Sequence, residues 1–167
     1  ADRPIRIGDR IIIDKIGKHW GGWGDVIDVG LRRTTIRNTD GVIVNYPNAV
    51  LAASTIKNFS FDPQPVRARI RFQTDFNVDP EQVRSITIGV IEKVDGIIEG
   101  SATVVVRSIW DDDQGHLLSG ILFEARYKLV DVKTRTVLRS AVLESLILEF
   151  RQNSISMAAL PIKNISQ

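Results

Sequence analysis

The 167-residue sequence has no cysteine and only two histidines, His19 and His116. Without cysteine there can be no disulfide, no thiolate nucleophile and no cysteine-based metal site. Neither histidine accompanies a serine in a recognisable nucleophile motif, so a hydrolase triad has no support. Residues 17–22 are rich in glycine but lack the Gly-Lys-Ser/Thr ending of a phosphate-binding loop. We therefore expect no enzymatic activity and no cofactor.

Long apolar runs are also missing. No stretch approaches the roughly 18–20 apolar residues that span a bilayer, and the charged opening at residues 1–4 is unlike a signal peptide. The formal net charge of +2 comes from 22 basic and 20 acidic residues, which is too balanced to indicate a nucleic-acid partner by itself. With 43% hydrophobic residues, the composition is that of a globular protein. We expect a soluble polypeptide with a buried core.

The first third of the chain predicts a small β domain. Short β-branched runs at 11–13, 34–36 and 42–44 alternate with turn residues. The Asn-Thr-Asp-Gly sequence at 38–41 is a strong hairpin signal, because Asp and Gly tolerate the positive φ angles of tight turns. Many short strands with few helices favour a small barrel. The two prolines within residues 62–65 disfavour helix and stiffen the chain, so a domain boundary is predicted there.

The rest of the chain predicts an α/β domain. Residues 66–73 and 121–130 alternate in polarity, which indicates half-buried strands. A helix is predicted to begin at Asp79, a capping carboxylate followed by proline, and a second helix to run from about Lys133 to Gln152. The order β-α-β-β-α is most of a ferredoxin-like unit, and the apolar tail predicts a final strand. The inward helix faces are predicted to be Val83, Ile86, Val90 and Val94, and Leu138, Val142, Leu146 and Phe150.

Three stretches resemble the small-conductance mechanosensitive channel family. Residues 3–9 are similar to the junction where the family's pore-lining helix enters its β domain. Residues 31–41 are similar to the family's most recognisable run, and residues 42–51 with 56–60 follow it in the family's order and spacing. The residues that carry the motif are Gly8, Asp9, Arg32, Thr34, Arg37, Asp40, Gly41, Pro47, Asn48 and Asn58.

The resemblance implies an α+β fold of three parts. These are a Sm-like β-barrel domain at residues 1–61, a ferredoxin-like α/β domain at 62–154, and a C-terminal strand at 155–167 that contributes to ring assembly. Seven copies would form a hollow vestibule on the cytoplasmic side of the plasma (inner) membrane. Its partners would be further copies of the subunit, the transmembrane helices that would precede Arg3, and the membrane through the full-length protein. The vestibule would support the pore and filter the ions and small solutes released under membrane tension in osmotic stress.

Residue type indicates a local role for several motif positions. Glycine at 8 and 41 permits backbone turns that a side chain would obstruct. Asp40 and Asn48 are expected to hydrogen-bond nearby backbone. Pro47 is expected to end a strand because it lacks a backbone donor.

Some charged and aromatic residues leave a second function open. Sm-like barrels can bind RNA, and Arg32, Arg33 and Arg37, with Trp20 and Trp23 nearby, could neutralise phosphate and stack on bases. The other interpretation is a charged strand face near a membrane or a subunit interface. We favour the latter and expect no nucleic-acid partner.

Two further clusters allow alternative interpretations. Arg67, Arg69 and Arg71 alternate on one side of a predicted strand. They could bias which ions enter a vestibule. We favour the other interpretation, an exposed sheet face paired with acidic neighbours. His116 follows Asp111–Asp113 closely enough to suggest a metal site. Adjacent aspartates on an extended turn point in different directions, however, whereas hard cations need convergent oxygens. A solvated turn is expected, and no metal.

Overall fold

The computed structural model describes residues 5–14, 22–62, 65–111 and 116–157. The chain divides between Gln64 and Pro65 into two compact units. Each unit has its own hydrophobic core and its own antiparallel sheet. The predicted α+β class is confirmed.

The first unit is a five-stranded sheet with one short helix. The strands lie in the order β4-β3-β2-β1-β5, and all neighbours are antiparallel. Among the described residues β4 and β5 do not pair, so the predicted barrel is not closed: the three residues of β5 bond to β1 at one edge while β4 forms the other. The elements are β1 (Arg10–Ile13), β2 (Gly22–Val29), β3 (Arg33–Asn38), β4 (Ile43–Pro47), α1 (Asn48–Ala52) and β5 (Ile56–Asn58).

Alternation along the strands builds the first core. Ile11 and Ile13 of β1 point inward, and Val26 and Ile36 of the next two strands lie beside them, each at most 3% exposed. Strand β2 must approach β3 closely at Gly24, because a Cβ there would lie 2.4 Å from Ile36 Cγ2. Only glycine fits this position without displacing its neighbours.

The second unit has a three-stranded sheet in the order β6-β8-β7, again antiparallel. Both long helices pack on one face of this sheet, where their apolar rows meet the inward residues of the strands. The elements are β6 (Val66–Thr74), α2 (Pro80–Glu92), β7 (Thr103–Asp111), β8 (His116–Leu129), a single 3₁₀ turn (Val132–Thr134) and α3 (Arg135–Gln152).

The two predicted helices are confirmed. The carboxylate of Asp79 caps α2 by accepting the backbone N–H of Glu81 at 3.0 Å, with Pro80 as the first helical residue. Val83 and Val90 are buried in the core, with Ile86 and Val94 partly buried against it. From α3, Val142, Leu146 and Phe150 are buried, and Leu138 packs partly against them.

The chain turns sharply after α3. Ser154 has a φ of +56°, and the next residue, Ile155, is buried in the second core while its N–H donates to Phe150 O at 2.8 Å. Of the predicted C-terminal strand at 155–167, the described residues 155–157 adopt no strand. Residues 158–167 lie outside the described part of the chain.

Candidate functional site

The segment that leads into β1 is tied to the segment that leaves β5. Asp9 Oδ2 accepts a hydrogen bond from Asn58 Nδ2 at 2.8 Å and another from the backbone N–H of Arg6 at 2.8 Å. Asn58 Oδ1 in turn accepts the backbone N–H groups of Ser60 and Phe61 at 2.9 and 3.0 Å. We call this pair the Asp9–Asn58 clamp. It brings together two residues that the sequence motif places 49 positions apart.

Backbone bonds hold the same entering segment to β2. The N–H of Gly8 donates to Val26 O at 2.7 Å, and the N–H of Val26 donates to Asp9 O at 2.9 Å. Gly8 has a φ of +93°, a left-handed conformation that strongly favours glycine. The entering chain is thus fixed on two sides, by the clamp and by β2.

Asn48 links the β2–β3 turn to the start of α1. Its Nδ2 donates to Gly30 O at 2.9 Å, and its Oδ1 accepts from Thr34 Oγ1 at 2.9 Å. Its backbone N–H donates to Arg32 O at 2.8 Å. Thr34 is only 2% exposed. Three predicted motif residues therefore meet here, with Arg32 contributing through its backbone carbonyl.

The β3–β4 hairpin differs in one detail from expectation. Gly41 takes a φ of +80°, as the turn requires. The side-chain acceptor in the turn is Asn38, whose Oδ1 bonds the backbone N–H groups of Asp40 and Val42 at 3.0 and 2.9 Å. The role expected for the Asp40 side chain is thus filled by the residue that opens the turn. Strand β4 ends at Pro47, as its missing donor predicts.

The motif arginines of the first unit do not form a closed site. Arg32, Arg33 and Arg37 are exposed, the last two on the outward face of β3. Arg37 lies opposite Asp25, but Asp25 forms a two-point ion pair with Arg10, at 2.8 and 2.9 Å.

The structure describes only some of the residues considered for base stacking or metal binding. His19, Trp20 and residues 112–115 lie outside the described residues. Trp23 lies on β2 and stacks on Phe59, with ring centroids 4.7 Å apart. No group of three or more potential metal ligands comes together in the ranges that the structure describes.

Two of the arginines expected on an exposed face of the second sheet pair with an acidic neighbour, Glu124, which the sequence alone did not single out. Glu124 of β8 points away from the helices, yet its side chain is fully buried. Its Oε1 accepts from Arg71 Nε at 3.1 Å, and its Oε2 accepts from Arg126 Nε at 2.7 Å. Nη1 atoms of Arg69 and Arg107 lie 3.9 and 3.7 Å from Oε1. We call these five residues the Glu124 cluster. Alternation in β6 and β8 signals the outward side chains, but not their register.

The cluster keeps Glu124 charged. Burial by itself raises the pKa of the Glu124 carboxyl, but hydrogen bonds from Arg126 and Arg71 and the charges of Arg126 and Arg69 outweigh burial and lower the pKa. Four guanidinium groups thus surround a single carboxylate, which leaves the cluster with an excess of positive charge.

Comparison with known proteins finds similarity to mechanosensitive channels. Residues 1–61 match the family model of the mechanosensitive ion channel β-domain. A protein of the MscS family from Archaeoglobus fulgidus is 29% identical over 125 residues, covering 66% of this chain and 41% of the relative. Another from Buchnera aphidicola is 26% identical over 103 residues, covering 62% and 34%. The match over residues 1–61 and these two relatives support the small-conductance mechanosensitive channel family for this chain. The chain spans less than half the length of these two relatives.

Two solved structures share the fold. The crystal structure of Helicobacter pylori MscS in a closed state gives a TM-score of 0.77 at 21% identity, covering 98% of this chain and 60% of that one. The cryo-EM structure of Arabidopsis thaliana MSL1 A320V gives a TM-score of 0.61 at 17% identity, covering 94% and 56%. Within the described residues, no helix is both long and apolar enough to cross a membrane.

Proposed function

We propose that this chain is the cytoplasmic vestibule portion of a mechanosensitive channel subunit in the plasma (inner) membrane. It supports a pore formed by membrane helices that precede it, and it filters the ions and small solutes that pass under membrane tension. The β-domain match over residues 1–61 and the fold shared with Helicobacter pylori MscS support this role. The proposed role involves no bond-making chemistry and no cofactor.

The Asp9–Asn58 clamp is the observation that carries the proposal. The family resemblance places the end of the pore helix at residues 3–9. A pull on this segment reaches β2 through the backbone bonds between Gly8, Asp9 and Val26. It reaches the segment after β5 through Asn58. The first unit therefore holds the proposed pore connection at two independent points.

We also propose finer fold assignments for the two units. The β-α-β-β-α order of the second unit, with its first strand next to its third, supports a ferredoxin-like domain at residues 62–154. The five short antiparallel strands of the first unit support a Sm-like domain at residues 1–61. Residues 155–167 would then join contacts between subunits.

We propose that seven subunits assemble as a closed ring. Subunits in a ring meet through two different patches, and β4 and β5 provide two different sheet edges that have no partner strand within the described residues. Native mass spectrometry of the chain at high concentration should show closed rings or monomers. A stable twofold dimer would contradict ring assembly without contradicting the family.

A chimera tests the channel role. The part of Helicobacter pylori MscS outside the shared fold is joined to this chain and expressed in cells that lack their own mechanosensitive channels. Membrane patches under suction should show tension-activated currents. Patches that contain the unmodified Helicobacter pylori protein serve as the comparison. A chimera that reaches the membrane as an oligomer but passes no current under tension would refute the proposed role.

The outward arginines of β3 favour one alternative, a Sm-like RNA-binding module. Arg33 and Arg37 are exposed on the same face, where phosphates could reach them. Titration with single-stranded RNA at several salt concentrations separates the two functions. We expect affinity no tighter than about 10⁻⁴ to 10⁻⁶ M, the non-specific range. Sub-micromolar, sequence-selective binding that is lost in R33Q/R37Q would establish the alternative.

A further inference from the structure

The outward face of the second sheet pairs like charges across its strands. Residues directly opposite each other in an antiparallel sheet have neighbouring side chains, and like charges in such pairs are destabilising. Here β6 and β8 place two successive cationic pairs beside the buried carboxylate. The face therefore concentrates positive charge beside a single carboxylate. The opposing residues are Arg67 and Lys128, Arg69 and Arg126, and Arg71 and Glu124.

Glu124 occupies few of the available hydrogen-bond donors. A guanidinium group carries five N–H donors. Glu124 takes the Nε–H of Arg71 and of Arg126, whereas Arg69 and Arg107, at 3.9 and 3.7 Å, are beyond hydrogen-bond distance. Within the described part of the chain, the terminal N–H groups of these four arginines have no hydrogen-bond acceptor. Those of Arg69 and Arg107 make only the long-range charge contact with Glu124. Their side chains remain 35–51% exposed, so a ligand can reach them.

We propose that this face binds a small multivalent oxyanion of the phosphate class. Glu124 accepts the Nε–H groups of Arg71 and Arg126 and leaves the terminal nitrogens of both guanidinium groups available to a ligand. Such planar edges match phosphate oxygens in a two-point geometry. Arg69 lies within 3.9 Å of the same carboxylate and supplies a third charge. A divalent or more highly charged anion neutralises the positive excess that one carboxylate leaves.

The inference does not depend on the proposed channel role, because binding is measured on the chain by itself. The probe is pyrophosphate, followed by calorimetry or by amide chemical shifts of β6 and β8 at low ionic strength, where screening is weak. Replacing Arg69 with glutamine leaves both hydrogen bonds of Glu124 intact. We expect R69Q to weaken pyrophosphate binding by at least about fivefold, since hydrogen bonds to charged groups are strong.

Arg139 offers a matched control. It is exposed on α3, the helix that packs on the opposite face of the sheet, so R139Q removes the same charge from the second unit without touching the proposed site. We expect R139Q to change the affinity by less than about twofold, as screening predicts for a distant surface charge. Equal losses in R69Q and R139Q would show a non-specific charge effect and would overturn the proposal.

Glu124→Gln tests the contribution of the carboxylate to the proposed site. The substitution keeps the shape of the side chain and removes the carboxylate that competes with the ligand. We expect E124Q to bind pyrophosphate more tightly than the natural chain and to gain more thermal stability from it. A folded E124Q with unchanged or weaker affinity would overturn the proposal; if E124Q does not fold, the comparison of R69Q with R139Q decides. Binding to phosphatidylglycerol vesicles without measurable pyrophosphate affinity would also overturn it.

Discussion

Replacing Asn48 with alanine should destabilise the first unit strongly. The substitution removes two side-chain hydrogen bonds, to Gly30 O and from Thr34 Oγ1, both at 2.9 Å. Each such bond contributes about 0.5–1.5 kcal/mol net, and an unsatisfied buried group costs about 1–3 kcal/mol. Because Thr34 is 2% exposed, water cannot replace its lost acceptor. We expect the free energy of unfolding of the first unit to fall by about 2–3 kcal/mol.

Asn45 provides the control for this prediction. It accepts a similar hydrogen bond, from Thr35 Oγ1 at 2.7 Å, but on the solvent side of β3 and β4. Asn45→Ala should therefore cost less than about 0.5 kcal/mol, as is usual for surface substitutions.

Native-state hydrogen exchange is the appropriate assay, because it reports the stability of each unit separately where a single global transition would mix the two. The slowest amides of β2 and β3, such as those of Val26 and Ile36, give the free energy of opening of the first unit. Equal losses in N48A and N45A, or a loss below about 0.5 kcal/mol in N48A, would refute the role given to burial.

Three further predictions concern single residues. The folded pKa of Glu124 lies below its ordinary value of 4.5, so its charge stabilises the second unit above that pH, and this contribution is lost as the pH falls through the folded pKa. Acid unfolding of E124Q should accordingly be less steep below pH 4.5. An unchanged steepness would show that the arginine contacts are unimportant. Gly41→Ala should cost about 1–2 kcal/mol in urea unfolding, because φ is +80°, whereas Gly22→Ala, with equally open space and no positive φ, should cost less. Tyr127→Phe should leave the thermal midpoint unchanged or raise it, because the buried hydroxyl has no hydrogen-bond partner among the described residues; a clear fall would indicate a bound water.

Local sequence signals predicted the second unit well. Asp79 and Pro80 predict the start of α2, because a capping carboxylate and a first-turn proline affect only the few residues around the helix terminus. Alternation in β6 and β8 predicted which side chains enter the core, because the two-residue period of a strand is a local property. Apolar spacing of three and four residues likewise predicted the buried row of α3.

Features that depend on distant pairing could not be predicted in the same way. The open edge of the first sheet depends on which strands pair, and local strand signals do not specify that. Arg71 and Glu124 are 53 residues apart, and their contact follows from the register of β6 and β8. The β3–β4 turn shows a subtler limit, since Asn38 and Asp40 are both good turn residues and the sequence does not decide which one accepts the hydrogen bonds.

The role proposed for the Asp9–Asn58 clamp can be tested by a double-mutant cycle on the tension threshold of the proposed channel, recorded from membrane patches under suction. If the clamp holds the pore-entering segment, Asp9→Ala and Asn58→Ala should each shift the threshold in the same direction. The double variant should shift it by less than the sum of the two single effects, because both substitutions remove the same hydrogen bond of 2.8 Å. Thr35→Ala, which removes an exposed hydrogen bond on β3, should leave the threshold unchanged. Thresholds equal to that of the natural subunit in both single variants would contradict the role of this clamp in the channel.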